Sequence, residues 1–255
     1  MLRDYRRAGL PAAEVALLEF VETLTVAPFE IDAASWQRLQ DHGWRDAEIA
    51  RAAVGSAHFN YLNRMADGLG IRLDYPVHGE HQRPAPVSRP ARGRARPAPR
   101  RSRASEAATM PRVRRPSTRA LAGIELRSAH GVRWRAYPRR HGSAAAALRA
   151  RLAIYASALA YCPTSLRWAR ARAEHLGVAS AQLDQLASGV PVPHDHREEL
   201  LFAQARTLTL EPWAASEEHV VGLRGAGLAD RDIVQLTMLI AYLAFEHRVV
   251  LALGA

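Results

Sequence analysis

Cys162 is the residue with the clearest capacity for covalent chemistry, because it is the only cysteine among 255 residues. It stands directly before Pro163, and proline is favoured in the first turn of an α-helix. A thiol at a helix N-terminus has a lowered pKa, so Cys162 is predicted to be a one-cysteine peroxidatic or resolving thiol. The other interpretation is an unreactive small apolar residue in an Ala-rich helical hairpin, and the sequence leaves both open.

Ser165 follows three residues later and is a second candidate nucleophile. Neither a histidine nor an acid stands close to it in sequence to activate its hydroxyl. The run His194-Asp195-His196 is a third candidate, as a metal site or part of a triad. It stands in a Pro-rich turn without further ligands at suitable spacing, so Asp195 is expected to be a helix N-cap and no metal or cofactor site is expected.

These residues must be positioned by helices, and an internal repeat shows how the helices are organised. Residues 23–70 recur without a gap at residues 207–254, at an offset of 184 and with 12 identities in 48 positions. The matches fall mostly on helix caps, helix stops and core positions, which favours a duplicated helical unit over chance similarity.

Each repeat is predicted to contain three helices. Pro28 is expected to end the first helix, and Asp32 to cap a short second helix that Gly43 closes. Asp46 is expected to cap the long third helix, and Gly70 to end it. Their counterparts at the offset of 184 are Pro212, Ser216, Gly227, Asp230 and Gly254.

The third helix carries polar residues within an apolar pattern. Arg64 recurs as Arg248, whereas Asn60 and Asn63 become Ala244 and His247. A recurring arginine is expected to satisfy helix C-terminal carbonyls or a nearby acid. Its apolar pattern is carried by Ile49, Ala53, Ala57 and Leu62 in the first copy and by Ile233, Met238, Ala241 and Leu251 in the second.

The positive charge is concentrated between residues 79 and 120. That stretch has 12 arginines against two acidic residues, which accounts for the whole formal net charge of +10. With seven prolines between residues 83 and 119, it is predicted to be a disordered linker between a first module, 1–78, and a second, 121–255. Non-specific polyanion binding through this linker and a solvated spacer are the alternatives.

Cellular location is indicated only indirectly. The apolar run at residues 144–148 is too short for a transmembrane helix, and no membrane span is expected. Residues 1–7 lack the apolar core of a secretory signal. One cysteine excludes an internal disulfide framework, so a reducing cytoplasm is the expected location.

The order of residues in four stretches of the first module resembles the C-terminal half of the carboxymuconolactone decarboxylase-like superfamily. The nearest branch is its alkylhydroperoxidase D-like, peroxidase-related one. The second module resembles the same family more loosely. In the first module the stretches are 4–8, 16–25, 39–49 and 59–70; in the second they are 207–209, 227–233 and 245–254.

This resemblance implies an all-α fold of two such modules, the first lacking its N-terminal half, assembled into a homo-oligomer. It also implies thiol-dependent peroxide reduction in antioxidant defence, without a cofactor, and a thiol reductant or peroxiredoxin as partner. An in-frame hairpin encoded upstream of Met1 would complete the first module.

The family site has Cys-x-x-Cys followed by x-x-x-His, with a glutamate some twelve residues before the first cysteine. Cys162 matches the first cysteine, whereas Ser165, Ala169 and Ala150 stand at the resolving cysteine, the histidine and the glutamate. The dithiol cycle is therefore not expected within one chain, and activity is expected to be reduced or lost. The alternatives are a non-catalytic helical scaffold or ligand-binding module, and an Arg-rich anion-binding protein.

Overall fold

The computed structural model describes residues 4–71 and 142–254, and the regular elements of those residues are all helical. The all-α prediction is thus confirmed for the described part of the chain. Short 3₁₀ turns at Tyr5–Arg7, Pro28–Glu30 and Pro212–Ala214 join the α-helices. The helices are α1 (Ala12–Val26), α2 (Ala33–Asp41), α3 (Asp46–Gly68), α4 (Gly142–Leu159), α5 (Pro163–His175), α6 (Ser180–Ala187), α7 (His196–Leu210), α8 (Glu217–Gly225) and α9 (Asp230–Leu253).

The predicted linker, 79–120, lies outside the described residues. So do the last residues of the predicted first module and residues 121–141 of the second. The described part of the predicted second module therefore begins with α4.

The repeat found in the sequence is also a repeat of structure. The bounds of α1, α2 and α3 recur at the offset of 184 in α7, α8 and α9, and only α9 is longer, by one residue. The turns Pro28–Glu30 and Pro212–Ala214 correspond as well. The structural repeat starts at Ala12 and His196, eleven residues before the sequence match begins.

Local residue chemistry explains most helix ends. The Asp32 carboxylate accepts a hydrogen bond from the Ser35 backbone N–H at 2.9 Å and caps α2, as predicted. Gly43, with a φ of +88°, follows α2 in the left-handed conformation that favours glycine. The prediction for Asp46 and its counterpart was wrong by one position. Asp46 is the first residue of α3 rather than its cap, and there its charge still favours the helix dipole.

α9 joins the two hydrophobic cores. One core is formed mainly by α4 to α9, and the other by α1 to α3. The C-terminal end of α9 belongs to the second of these, because Val249, Ala252 and Leu253 pack among residues of α1 to α3. Trp36 of α2 also donates its indole N–H to the Ala252 carbonyl at 2.6 Å. The repeats are therefore packed together through α3 and α9.

The recurring arginines cross between the repeats. Arg64 of α3 donates its Nε–H to the Leu208 carbonyl in the last turn of α7 at 2.9 Å. Arg248 of α9 donates to the Thr25 carbonyl in the last turn of α1 at 2.6 Å. Carbonyls in the last turn of a helix have no partner within it, so each arginine satisfies the helix end of the other repeat. This confirms the structural interpretation of the recurring arginine.

Gly68 allows α3 to approach α7 and α9 closely. A Cβ atom at this position would lie 2.6 Å from Thr237 Cγ2 and 2.9 Å from Leu208 Cδ1. Leu62 of the same helix, in contrast, is 43% exposed.

α9 is the one helix among the described residues that is long and apolar enough to cross a membrane. Of its most apolar window, 67% is buried inside the protein, as in the core helix of a globular protein. Its packing against α3, α4 and α7 accounts for that composition. It therefore gives only weak evidence for a membrane span.

Candidate functional site

Cys162 lies at the turn between α4 and α5, as the N-cap of α5, and Pro163 is the first residue of that helix. The Cys162 N–H donates to the Ser157 carbonyl and the Tyr161 N–H to the Ala158 carbonyl, the two bonds of a Schellman motif. Tyr161 has a φ of +52° and is the one non-glycine residue in the described chain with a positive φ. The predicted placement of Cys162 at a helix N-terminus is therefore confirmed.

An aromatic pair flanks this turn. The exposed ring of Tyr161 lies 5.2 Å, centroid to centroid, from the ring of Phe29 in the turn Pro28–Glu30. The left-handed conformation costs a non-glycine residue about 1–2 kcal/mol, which the ring contact partly offsets. The turn that carries Cys162 is thus packed against the first repeat through this ring contact.

The thiol itself is buried, since only 1% of Cys162 is exposed. Ser165 is also buried and lies in the first turn of α5. Its hydroxyl group donates a hydrogen bond to Oε1 of Glu246 in α9 at 2.9 Å. A thiol, a hydroxyl and a carboxylate are therefore brought together from α5 and α9. We call these three residues the thiol cluster.

Burial raises the pKa of the Cys162 thiol, which contradicts the lowering expected from its position at a helix N-terminus. Hydrogen bonding with the Ser165 side chain and backbone lowers the thiol pKa and partly opposes this effect. The nearby Glu246 carboxylate raises the thiol pKa further, since two negative charges repel each other. The sequence showed the helix N-terminus but neither the burial nor the carboxylate.

His247 lies next to the cluster and forms a second buried polar contact. Its Nε2 atom is 2.9 Å from Oγ of Ser157, which lies in the last turn of α4. Burial, with the charges of Arg248 and Arg64, lowers the pKa of His247 to about 3, so the imidazole is neutral at physiological pH. Ser157 and His247 therefore form a neutral hydrogen-bonded pair that ties α9 to α4.

The positions matched to the family glutamate and histidine carry no functional group. Ala150 is buried in the core, and Ala169 packs against it. The sequence analysis missed Glu246, which reaches the site from a residue 81 positions away from Ser165. The sequence did contain a signal for it: Glu246 and His247 stand beside Arg248 within an otherwise apolar helix.

The His194-Asp195-His196 run has a structural role. Asp195 caps α7, as predicted, by accepting a hydrogen bond from the Glu198 N–H at 2.8 Å. His194 contacts Arg151, which forms a buried ion pair with Glu198 at 3.0 Å. No group of three or more His, Cys, Asp or Glu side chains suited to a metal ion occurs in the described ranges.

A small cleft of about 130 Å³ lies between α4, α7 and α9. Leucines such as Leu152 and Leu236 line it, with Arg149, Arg197 and Asp232 among its polar residues. The cleft lies beside the first half of α4, whereas Cys162 follows the end of that helix. At 1.5 Å per residue, Leu152 lies about 10 Å along the helix axis from Leu159, the last residue of α4, and Cys162 lies beyond that end. None of Cys162, Ser165 and Glu246 lines the cleft.

The chain matches no protein-family model, and no curated protein or solved structure is significantly similar to it. The described residues by themselves define an all-α protein with a structural repeat. Its distinctive chemical feature is a buried cysteine beside a serine that hydrogen-bonds a carboxylate.

Proposed function

We propose that the chain is an alkylhydroperoxidase D-like, peroxidase-related protein that reduces peroxides slowly through Cys162. Its two modules would be the C-terminal half of the family unit, residues 1–78, and a degenerate unit, residues 121–255. The observation that carries the proposal is the thiol cluster, where Ser165 lies between the thiol and the Glu246 carboxylate. This arrangement gives the thiol proton a path to a base although the family residues are missing.

The reaction would use one thiol. Ser165 accepts the Cys162 proton while passing its own to Glu246, and the thiolate attacks one peroxide oxygen. The O–O bond breaks, a sulfenic acid forms on Cys162, and the leaving alkoxide takes the proton back to become an alcohol. One external thiol then displaces water to give a mixed disulfide, and a second releases Cys162 as a disulfide of the two external thiols.

The same geometry supports a slow rate. A thiol whose pKa is raised has little thiolate at neutral pH, and burial restricts access of the peroxide. The absence of a second cysteine in the chain makes turnover depend on an external thiol reductant, as a reducing cytoplasm would supply.

The burial of Cys162 also favours a second candidate function, a non-catalytic helical scaffold. In that case the thiol would serve only as a small apolar core residue. The Ser165–Glu246 hydrogen bond would then only join α5 to α9.

Peroxide consumption by the full chain distinguishes the two functions. With tert-butyl hydroperoxide and excess dithiothreitol, we expect slow consumption by the wild type and none above background with Cys162→Ser. Ser165→Cys would restore the Cys-x-x-Cys spacing, so a peroxide-induced disulfide and faster turnover are expected. If the wild type and Ser165→Cys consume peroxide no faster than Cys162→Ser between pH 7 and 9.5, the chain is a scaffold.

A further inference from the structure

Two buried arginines in the contact between the repeats carry charges that no ion pair balances among the described residues. Arg64 of α3 is 4% exposed and Arg248 of α9 is 5% exposed. Burial lowers the pKa of Arg64 to about 10, and the charge of Asp67, which is partly exposed to solvent, opposes this only in part. The core between the repeats therefore contains two positive charges at neutral pH.

A short chain of hydrogen bonds joins the two guanidinium groups. Nη2 of Arg248 donates to the Thr25 carbonyl at 2.6 Å, and Nδ2 of Asn60 donates to Oγ1 of the same threonine at 3.1 Å. Oδ1 of Asn60 in turn accepts from Nη1 of Arg64 at 2.9 Å. Burial and the charge of Arg64 lower the pKa of Arg248 well below its usual range. The two like charges therefore share one buried region.

The helix ends balance only part of this charge. Arg64 donates to the Leu208 carbonyl in the last turn of α7, and Arg248 to the Thr25 carbonyl in the last turn of α1. The C-terminal end of a helix carries about half a unit of negative charge. Two such ends offset about one of the two positive charges, so about one unit of positive charge stays unbalanced. A buried charge is costly unless a charge of opposite sign is paired with it.

The second repeat also lacks a hydrogen-bond acceptor that the first repeat has. The Asn60 side chain lies one turn before the arginine of the first repeat and accepts from it, whereas Ala244 stands at the equivalent position in α9. Nε of Arg248 is buried and has no hydrogen-bond partner in the described chain. Nε of Arg151 is also buried without a partner, but Glu198 balances the charge of that residue. Arg248 thus lacks both an acceptor and a counter-charge.

We propose that one small monovalent anion, with chloride as the expected ion, binds at the Nε–H group of Arg248 in the contact between α3 and α9. The anion accepts from this N–H, and its single charge balances the positive charge that the helix ends leave. Sulfate and phosphate are not expected, because a divalent anion loses more hydration free energy on burial. The site is formed by helices of both repeats and is separate from the Arg-rich stretch 79–120.

Thermal unfolding of the full chain, followed by circular dichroism, tests this site. Sodium chloride replaces sodium gluconate at a constant total of 200 mM, so the screening of surface charges stays the same throughout. The midpoint should rise with chloride and then level off, as expected for an ion that binds only the folded state at one site. Arg248→Met should abolish this rise, whereas Arg206→Met, at an exposed position on α7, should keep it.

A second pair of variants tests the site without removing Arg248. Ala244→Asp places a carboxylate one turn before Arg248, so the midpoint should no longer depend on chloride. Val234→Asp adds the same charge at an exposed position near the start of α9 and should leave the chloride response unchanged. If Arg248→Met does not fold, which its circular dichroism spectrum would show, the comparison of these two variants decides.

The line width of the ³⁵Cl nuclear magnetic resonance signal measures binding directly. Excess broadening by the wild type should be reduced in Ala244→Asp, whereas broadening by the Arg-rich stretch would be the same in both. A wild-type midpoint that does not change with chloride would overturn the proposal. A chloride response of wild-type size in folded Arg248→Met or in Ala244→Asp would also overturn it.

Discussion

At the level of single residues, α9 places three consecutive polar side chains against three different helices. Glu246 accepts from Ser165 of α5, and His247 contacts Ser157 of α4. Arg248 donates to the Thr25 carbonyl of α1. A stretch of one helix thus sets the charge near the thiol and joins the two repeats. Substitutions in it should separate the chemical role of the site from its structural role.

Replacing Glu246 with glutamine should lower the pKa of Cys162. The carboxylate raises that pKa, so its removal favours the thiolate, whereas Ser165→Ala should shift the pKa upward. Because the chain has one cysteine, the ¹³Cβ shift of cysteine-labelled protein reports this group alone during a pH titration. Glu199→Gln, at an exposed position that pairs with His196, is the matched control and should change nothing. An unaltered Cys162 titration in Glu246→Gln would rule out the electrostatic contact.

Buried His247 should make the protein less stable in mild acid. Its pKa falls from 6.5 to about 3 in the folded state, so below pH 6.5 only the unfolded chain takes up this proton. The free energy of unfolding should therefore fall with a slope that approaches about 1.4 kcal/mol per pH unit from this group alone, roughly 2 kcal/mol in all between pH 6.5 and 4.5.

Urea unfolding at a series of pH values measures this effect. His247→Gln, which can still reach Ser157, should lose that part of the pH dependence, whereas His175→Gln, on the exposed side of α5, should keep it. Identical pH slopes for the wild type and His247→Gln would show that the buried imidazole does not resist protonation.

At the level of helices, the ends of α1 and α7 depend on arginines from the opposite repeat. Arg248→Leu should leave the part-buried Thr25 carbonyl unsatisfied and reduce the free energy of unfolding by about 1–3 kcal/mol. Arg64→Leu should have a similar effect through the Leu208 carbonyl. Denaturant unfolding tests both, with the exposed Arg206→Leu in α7 as the control. If either variant loses no more free energy of unfolding than Arg206→Leu does, these carbonyls are satisfied in another way.

The double variant, with both Arg64→Leu and Arg248→Leu, should lose less free energy of unfolding than the sum of the losses in the two single variants. The charge of Arg64 contributes to lowering the pKa of Arg248, so the two buried guanidinium groups oppose each other. Removing one guanidinium group therefore removes a repulsion that destabilises the other, which offsets part of the stability lost in the double variant. Strict additivity would show that the two charges do not interact.

The helix ends could be predicted from sequence because their causes are local. Each acts within a few residues of its own position. Asp32 caps α2, Pro28 follows the end of α1, and Gly43 takes the left-handed conformation after α2. The one-residue error at Asp46 has the same origin, since an acid favours both the cap and the first turn.

The thiol cluster could be predicted only in part. Cys162 and Pro163 stand together in sequence, so the helix N-terminus was recognisable. The Glu246 carboxylate and the burial of the thiol depend on how α9 packs against α5, and no spacing in the sequence encodes that contact. The direction of the thiol pKa was consequently predicted with the wrong sign.

At the level of the whole molecule, α9 should make the described helices unfold together. Leu39→Ala in the core of α1 to α3 and Leu186→Ala in the other core should each lower the free energy of unfolding by about 2–5 kcal/mol. Because α9 contributes to both cores, each variant should lower one common transition. Leu39→Ala should also speed the reaction of Cys162 with a thiol reagent, although it lies in the other core.

Circular dichroism and thiol labelling during denaturant unfolding measure this coupling. Coincident curves in both variants are expected for one cooperative unit. An early transition in Leu39→Ala that leaves Cys162 protected would show that α1 to α3 unfold separately.

The most direct test of the proposed chemistry is the rate at which hydroperoxide converts Cys162 to a sulfenic acid. Dimedone trapping followed by mass spectrometry measures it on the folded chain across a range of pH. The account predicts a dimedone adduct on Cys162 whose rate of formation is slow at pH 7 and still rising at pH 9. The absence of an adduct at every pH, or a rate that is already maximal at pH 7, would contradict it.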